Sequence, residues 1–332
     1  MQTHILTERD VYTLLPMEEC MDVVSKALEM ASKGQTVNPL RTALRLPEKD
    51  GLLGMMPAYL GSPESVGIKV VTVMPGNHGT EFDAHQGAVL LFEPEHGCLL
   101  AVIDASSITA IRTAAASGVA TRLLASPGAS QLAILGSGVQ AKSHLEAMRL
   151  ARNITEVRVW SRTPANAQRF AERESARHGI DIHAAATARE AVTGAEIICT
   201  CTSSDKPVLA GEWIADGAHV NAVGACLPKS RELNTVAVVK SRLFVDRRES
   251  ALNEAGDFLI PKKEGAIDDG HIVGEIGEVL LGNVPSRQAP DEITLFESLG
   301  IACEDLATAH YVYRKAVDSN TGVTIDFGGM WE

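Results

Sequence analysis

The chain has 332 residues, 45% of them hydrophobic and 22% charged, and a formal net charge of −12. That length carries two domains and a sizeable core, and the acidic balance leaves no basic stripe to neutralise nucleic-acid phosphates. No apolar run approaches the ~20 residues of a membrane span.

The opening MQTHILTERDVYTLL has no basic flank leading into an apolar core, so no signal peptide is expected. Six cysteines at 20, 98, 199, 201, 226 and 303 form no C-x-x-C pair, and Cys199 and Cys201 lie in the apolar run AEIICTCT. They read as reduced core thiols of a cytoplasmic protein. The ten histidines show no metal-ligand spacing, so no metal is expected.

Residues 8–34 read as two amphipathic helical stretches. Strand-like runs follow, RTALRLP, SVGIKVVTVMP and GAVLLFEPEHGCLLAVID, with a turn at E-P-E-H-G that suggests an antiparallel or mixed sheet. The segment SSITAIRTAAASGVATRLLAS is a helix of small residues, with Ser106 or Ser107 as its expected cap. Apolar runs at 131–135, 156–160, 195–201, 218–223 and 242–245 then alternate with helical patterns near 140–151, 164–178, 187–192 and 231–238. Alternation of this kind builds βαβ units and a parallel sheet. The final helical segment, GIACEDLATAHYVYRKAV, is expected to return to the first domain. There are no repeats and no low-complexity linker.

Gly136-Ser137-Gly138-Val139-Gln140-Ala141 fits G-x-G-x-x-A between an apolar strand and a helix. Gly136 allows the tight turn, Gly138 lets the backbone approach a pyrophosphate, and Ala141 keeps the helix near the strand. The second strand, EVRVW, ends in Ser161-Arg162-Thr163, where an NAD-selective site places a carboxylate for the ribose 2′-hydroxyl. A guanidinium and two hydroxyls in that place suit a 2′-phosphate, so NADPH is the expected cofactor. Three cations sit in apolar surroundings on different segments: Arg45, Lys69 and Arg112. If they converge, they form a clamp for a substrate carboxylate.

The stretches GLLGMMPAY, GIKVVTVMPGN, HQGAVLLFEPEHGCLLAVIDASSITAIRTAAASGVAT, LAILGSGVQA, VRVWSRTPANAQRFA, HVNAVGACLPKSRELNT and ITLFESLGIACEDLA together resemble the ornithine cyclodeaminase/mu-crystallin family, over essentially the full chain. The resemblance implies an α/β fold: a Rossmann-type doubly wound domain at 119–303, and an α+β substrate and dimerisation domain at 1–118 and 304–332. It implies a homodimer. It also implies that Arg45, Lys69 and Arg112 bind the substrate carboxylate, with Arg112 also near the cofactor, and that Leu299 touches substrate. Val139, Gln140, Ser161, Thr202, Val223 and Ser298 match cofactor positions, and the Ser-Arg-Thr turn resembles the NADPH-using members.

Two positions depart from the cyclodeaminases of the family. Their catalytic aspartate after the N-A-V-G strand is Cys226 here, and the glutamate three residues before the M-P proline is Gly54. A diamine substrate loses both anions, which weakens that reading. The expected activity is NADPH-dependent reduction of a cyclic α-imino acid, with Lys69, or a water near His85, as proton donor. The alternatives are an ornithine or lysine cyclodeaminase, an alanine or N-alkyl amino acid dehydrogenase, and an NADPH-binding protein without turnover.

Overall fold

Helical periodicity in residues 8–34 resolves into Glu8–Leu14 and Met17–Ser32. Thr7 and Asp10 form a capping box on the first. The second buries a stripe of Met17, Cys20, Met21, Val24, Ala27 and Leu28. The computed structural model describes residues 2–77 and 80–329. It falls into two compact units, Met1–Arg112 with Ile301–Glu332, and Thr113–Gly300.

In the first unit an eight-stranded mixed sheet runs in the order Val323–Asp326, Gln2–Leu6, Leu99–Asp104, His85–Phe92, Glu64–Val73, Leu52–Gly61 and Thr36–Val37, with Thr42–Arg45 also paired to Leu52–Gly61. Only the pairing of Gln2–Leu6 with Leu99–Asp104 is parallel. Both flanking strands, Gln2–Leu6 and Val323–Asp326, lie in segments whose sequence carries no strand signal of its own. The helix Ala302–Ser319 packs on this sheet and against Met17–Ser32.

The second unit holds an all-parallel sheet in the order Ile182–Ala184, Glu156–Trp160, Gln131–Leu135, Ile197–Thr200, His219–Ala222, Ile293–Glu297, Ser241–Val245 and Ile272–Glu275. Chain order reverses between Gln131–Leu135 and Ile197–Thr200, so the switch point of this doubly wound sheet lies at the end of the glycine strand. Apart from the half-buried Gln131, the central strands are buried throughout, as both-face coverage requires. Thr163 is extended, Pro164 opens Pro164–His178, and Gly179 ends it at φ +63°. No helix among the described residues is long and apolar enough to cross a membrane.

Several local expectations shift. The small-residue helix spans Ala105–Leu124, and Asp104 caps it: its Oδ2 accepts the Ser107 N–H at 2.7 Å and the Ser107 hydroxyl at 2.5 Å. The pattern at 231–238 becomes a helix only from Thr235, where Asn234 Oδ1 accepts the Ala237 N–H at 2.9 Å. Residues before it are held by a parallel bridge between Leu209 and Leu233. The chain passes from the first unit to the second after Arg112 and returns to it at Ile301.

Candidate active site

The glycine turn closes on the end of a neighbouring strand. Gly136 adopts φ +126°, and a Cβ there would sit 2.4 Å from the Cys201 carbonyl oxygen. Only glycine fits both demands. Its N–H donates to the Trp160 carbonyl at 2.8 Å, and the Ser137 hydroxyl donates to Ser161 Oγ at 3.1 Å, so the turn is tied to the end of Glu156–Trp160. Gly138 caps the helix Val139–Ala151, with no side chain bonded to the helix start, no acid in the first turn and nothing within 4 Å of where a Cβ would be. Orphan N–H groups at an open helix start suit an anion.

The other cofactor candidates border the same sheet edge. Ala141 is fully buried against the strand, while Val139 is exposed. Gln140 Oε1 and Ser298 Oγ are buried without a hydrogen-bond partner among the described residues. Ser298 N–H donates to the Ala222 carbonyl at 2.8 Å, and Val223 N–H to that of Thr200 at 3.1 Å. The Thr202 N–H and hydroxyl both donate to Glu232 Oε1, at 2.6 and 2.5 Å. Arg162 and Thr163 are exposed, and Arg162 makes no hydrogen bond or ion pair among the described residues. An open helix start and two orphaned buried polar atoms fit a dinucleotide.

Leu299 is buried in the apolar core of the second unit, its N–H donating to Asp246 Oδ2 at 2.8 Å. The Cys226 thiol donates to the Val223 carbonyl at 3.3 Å. No disulfide forms: all six cysteines are free, and burial pushes Cys20 and Cys199 up to about 12.

Two of the three expected cations meet in the first unit. Alternation along Glu64–Val73 buries Ser65, Gly67 and Lys69 on the face toward the final helix. At Gly67 a Cβ would come 2.7 Å from Leu306 Cδ1, so glycine lets the helix lie close to the strand two residues from Lys69. Lys69 Nζ lies 2.8 Å from Asp305 Oδ2 and donates to Thr109 Oγ1 at 3.3 Å. Arg112 Nε donates to Asp305 Oδ1 at 2.8 Å, and its Nη1 to Glu304 Oε2 at 3.1 Å.

All four of these ionic side chains are buried. Burial lowers Lys69 to about 8; Asp305 opposes this, and the Arg112 and Arg41 charges add to it. Burial pushes Asp305 upward, but Arg112 and Lys69 together hold it below the usual carboxylate range.

Arg45 does not join them. It ends the exposed edge strand Thr42–Arg45, and the arginine whose charge reaches Lys69 is Arg41. Arg41 precedes that strand, and Arg45 lies four residues on, roughly 13 Å farther along an extended chain. Asn38 sets the position of the Arg41 segment: its Oδ1 accepts the Cys303 N–H at 2.8 Å, at the start of the final helix. His85, the other proton-donor candidate, begins the strand His85–Phe92, where its carbonyl accepts the Ser106 hydroxyl at 2.6 Å. Glu304, Asp305 and Arg41 were not expected at the site. The sequence shows Glu304 and Asp305 only as two acids in the first turn of the final helix, and Arg41 only as a cation ahead of an exposed strand.

The sequence profile of the ornithine cyclodeaminase/mu-crystallin family matches residues 1–320. The ketimine reductase mu-crystallin of Mus musculus is 42% identical over 298 residues, which is 90% of each chain. The structure of Thermococcus litoralis Δ1-pyrroline-2-carboxylate reductase, in complex with NADH and L-proline, is similar with a TM-score of 0.95 and 39% identity, covering 97% of this chain and 99% of that one. An archaeal alanine dehydrogenase dimer with bound NAD matches with a TM-score of 0.93 and 34% identity, over 99% and 100% of the two chains.

Proposed function

The chain belongs to the ornithine cyclodeaminase/mu-crystallin family, and on that premise we propose that it reduces the C=N bond of a cyclic α-imino acid with NADPH. The substrates are Δ1-pyrroline-2-carboxylate, giving L-proline, and Δ1-piperideine-2-carboxylate, giving L-pipecolate. The observation that carries this reading is the buried set of Lys69, Arg112, Glu304 and Asp305 with the Arg41 charge acting on it. Buried guanidinium and ammonium groups gathered in one place suit the carboxylate of an incoming substrate.

Arg41, Lys69 and Arg112 hold that carboxylate and orient the ring. Residues 136–140, Ser161, Arg162, Thr163, Thr202, Val223 and Ser298 would hold a nicotinamide dinucleotide, which would supply the hydride. Lys69, lowered to about 8, remains mostly protonated at neutral pH and donates the proton to the ring nitrogen. Solvent returns it. The C=N bond becomes CH–NH, and the reaction is balanced by one hydride and one proton. The test follows loss of the reduced-nicotinamide absorbance across a panel of imino acids. Turnover is expected for five- or six-membered rings, and no turnover of any of them overturns the reading.

Cofactor choice rests on Ser161-Arg162-Thr163, although the similar structures carry NADH and NAD. NADPH is expected to be preferred over NADH by at least about tenfold in kcat/KM, ~1.4 kcal/mol. Arg162→Ala should remove most of that preference while sparing NADH kinetics. Equal use of both cofactors by the parent would sink the claim.

A homodimer is part of the same reading. Support comes from the dimeric relative and from exposed apolar side chains at Val37, Leu44, Val323, Ile325 and Phe327. Six free thiols suit a reducing, cytoplasmic compartment.

A further inference from the structure

Glu232 lies on no regular element, yet it is fully buried between the ends of two parallel strands. Its Oε1 accepts the Thr202 N–H and hydroxyl, just beyond Ile197–Thr200. Its Oε2 accepts the Gly224 N–H at 2.7 Å, just beyond His219–Ala222. One carboxylate therefore fixes the spacing of two adjacent loops at the carboxyl edge of the sheet, beside the switch point, where doubly wound folds bind their ligands.

The fit leaves no slack. A Cβ on Gly224 would lie 2.1 Å from the Thr202 carbonyl oxygen and 2.6 Å from the Glu232 carboxyl. Glu232 is itself fixed from behind. Asp257 Oδ1 accepts the N–H groups of Glu232 and Leu233 at 3.0 and 2.9 Å, and the Glu232 carbonyl accepts those of Val208 and Leu209. Burial pushes the Glu232 carboxyl upward, while the donors of Thr202 and Gly224 pull it back toward the anion.

We propose that Glu232 is a positioning residue of the cofactor site, holding the Thr202 and Val223 loops at the separation that a bound dinucleotide requires. This rests on the dinucleotide reading above. A glutamine cannot replace the carboxylate, because two acceptor oxygens become one and an NH₂ must face an N–H. Removing the acceptor of a buried N–H leaves that donor unsatisfied.

A second carboxylate tie stands at the opposite edge of the sheet. Glu196 Oε2 accepts the N–H groups of Ser130 and Gln131 at 2.7 and 3.1 Å, where the strands begin. A merely structural carboxylate tie should behave as Glu196 does.

The experiment titrates NADPH and NADH into the parent, E232Q, E232D and E196Q without substrate, following the fluorescence of Trp160 and the other tryptophans, with a melting curve for each protein. E232Q is expected to raise the cofactor dissociation constant at least about tenfold. E232D, which keeps both acceptors on a shorter stem, should fold and show a smaller rise, and it carries the test if E232Q does not fold. E196Q keeps the single acceptor that Glu196 uses and should leave cofactor affinity within about twofold of the parent. Parent-like affinity in both Glu232 variants overturns the proposal, as does an equal loss of affinity in E196Q. If the parent binds neither dinucleotide, the cofactor reading falls and takes this proposal with it. If the parent binds cofactor but turns over no imino acid, only the substrate reading fails, and the affinity comparison still decides for or against Glu232.

Discussion

Lys69→Ala is expected to lower kcat/KM for the cyclic imino acid at least about a hundredfold, ~2.7 kcal/mol of transition-state stabilisation. Lys69 is buried beside Asp305 and Arg112, so no solvent screens its charge. Its removal takes away one of the cations proposed to hold the carboxylate, together with the proposed proton donor. Arg112 still pairs with both Glu304 and Asp305, so the fold should survive. Arg112→Ala should be at least as damaging to activity, but it also leaves two buried carboxylates short of a partner. Breaking a buried pair in that way costs about 3–5 kcal/mol of stability. Lys69→Ala is therefore the cleaner kinetic experiment, with the melting temperature as its control. Esterifying the substrate carboxylate should hurt the parent comparably. If the ester reacts as well as the acid, the cations serve some other purpose.

The same geometry sets a pH limb. With Lys69 lowered to about 8, its positive charge is present below that pH and lost above it, so kcat/KM should fall as pH rises through about 8. An arginine does not deprotonate in this range, so Lys69→Arg should erase the limb even if it lowers the rate. A limb unchanged in Lys69→Arg would belong to the substrate or to another group.

What could be read in advance was local. The glycine turn, the Pro164 start and the alternating strands of the second unit are written in contiguous residues, and their positions follow from short-range chemistry. The cation site depends on pairings that sequence spacing does not carry. Arg112 meets Asp305 across 193 residues, and the Glu-Asp pair at 304–305 reads equally well as a solvated first turn that favours the helix dipole. Arg41 and Arg45 lie four residues apart, and the long-range Asn38–Cys303 hydrogen bond indicates which of them is nearer the helix. Glu232, Asp246 and Asp257 look like loop carboxylates in sequence. Their burial comes from accepting backbone N–H groups at the strand ends, which no periodicity announces.

Ornithine with NAD or NADP is expected to yield negligible ammonia, and Cys226→Ala should keep most of the imine reductase activity. A cyclodeaminase must oxidise the α-amine, let the distal amine attack the resulting imine, expel ammonia and then reduce the ring. Each stage moves protons, and a positioned carboxylate relays them. Here the residue after the N-A-V-G strand is a thiol whose S–H is directed at the Val223 carbonyl, so it offers neither base nor counter-ion. At Gly54 a Cβ would meet Val71 and Leu52, an apolar neighbourhood without an anion for the distal ammonium. Asp305 cannot stand in, because Arg112 and Lys69 hold it ionised and engaged below the usual carboxylate range. Reduction of a preformed ring imine needs only the last hydride and one proton, which Lys69 can give. The measurement compares ammonia release from ornithine with NADPH consumption on the imino acids, in the parent and in Cys226→Ala. Robust ornithine deamination by the parent would overturn this reading and require a second carboxylate at the reacting amine.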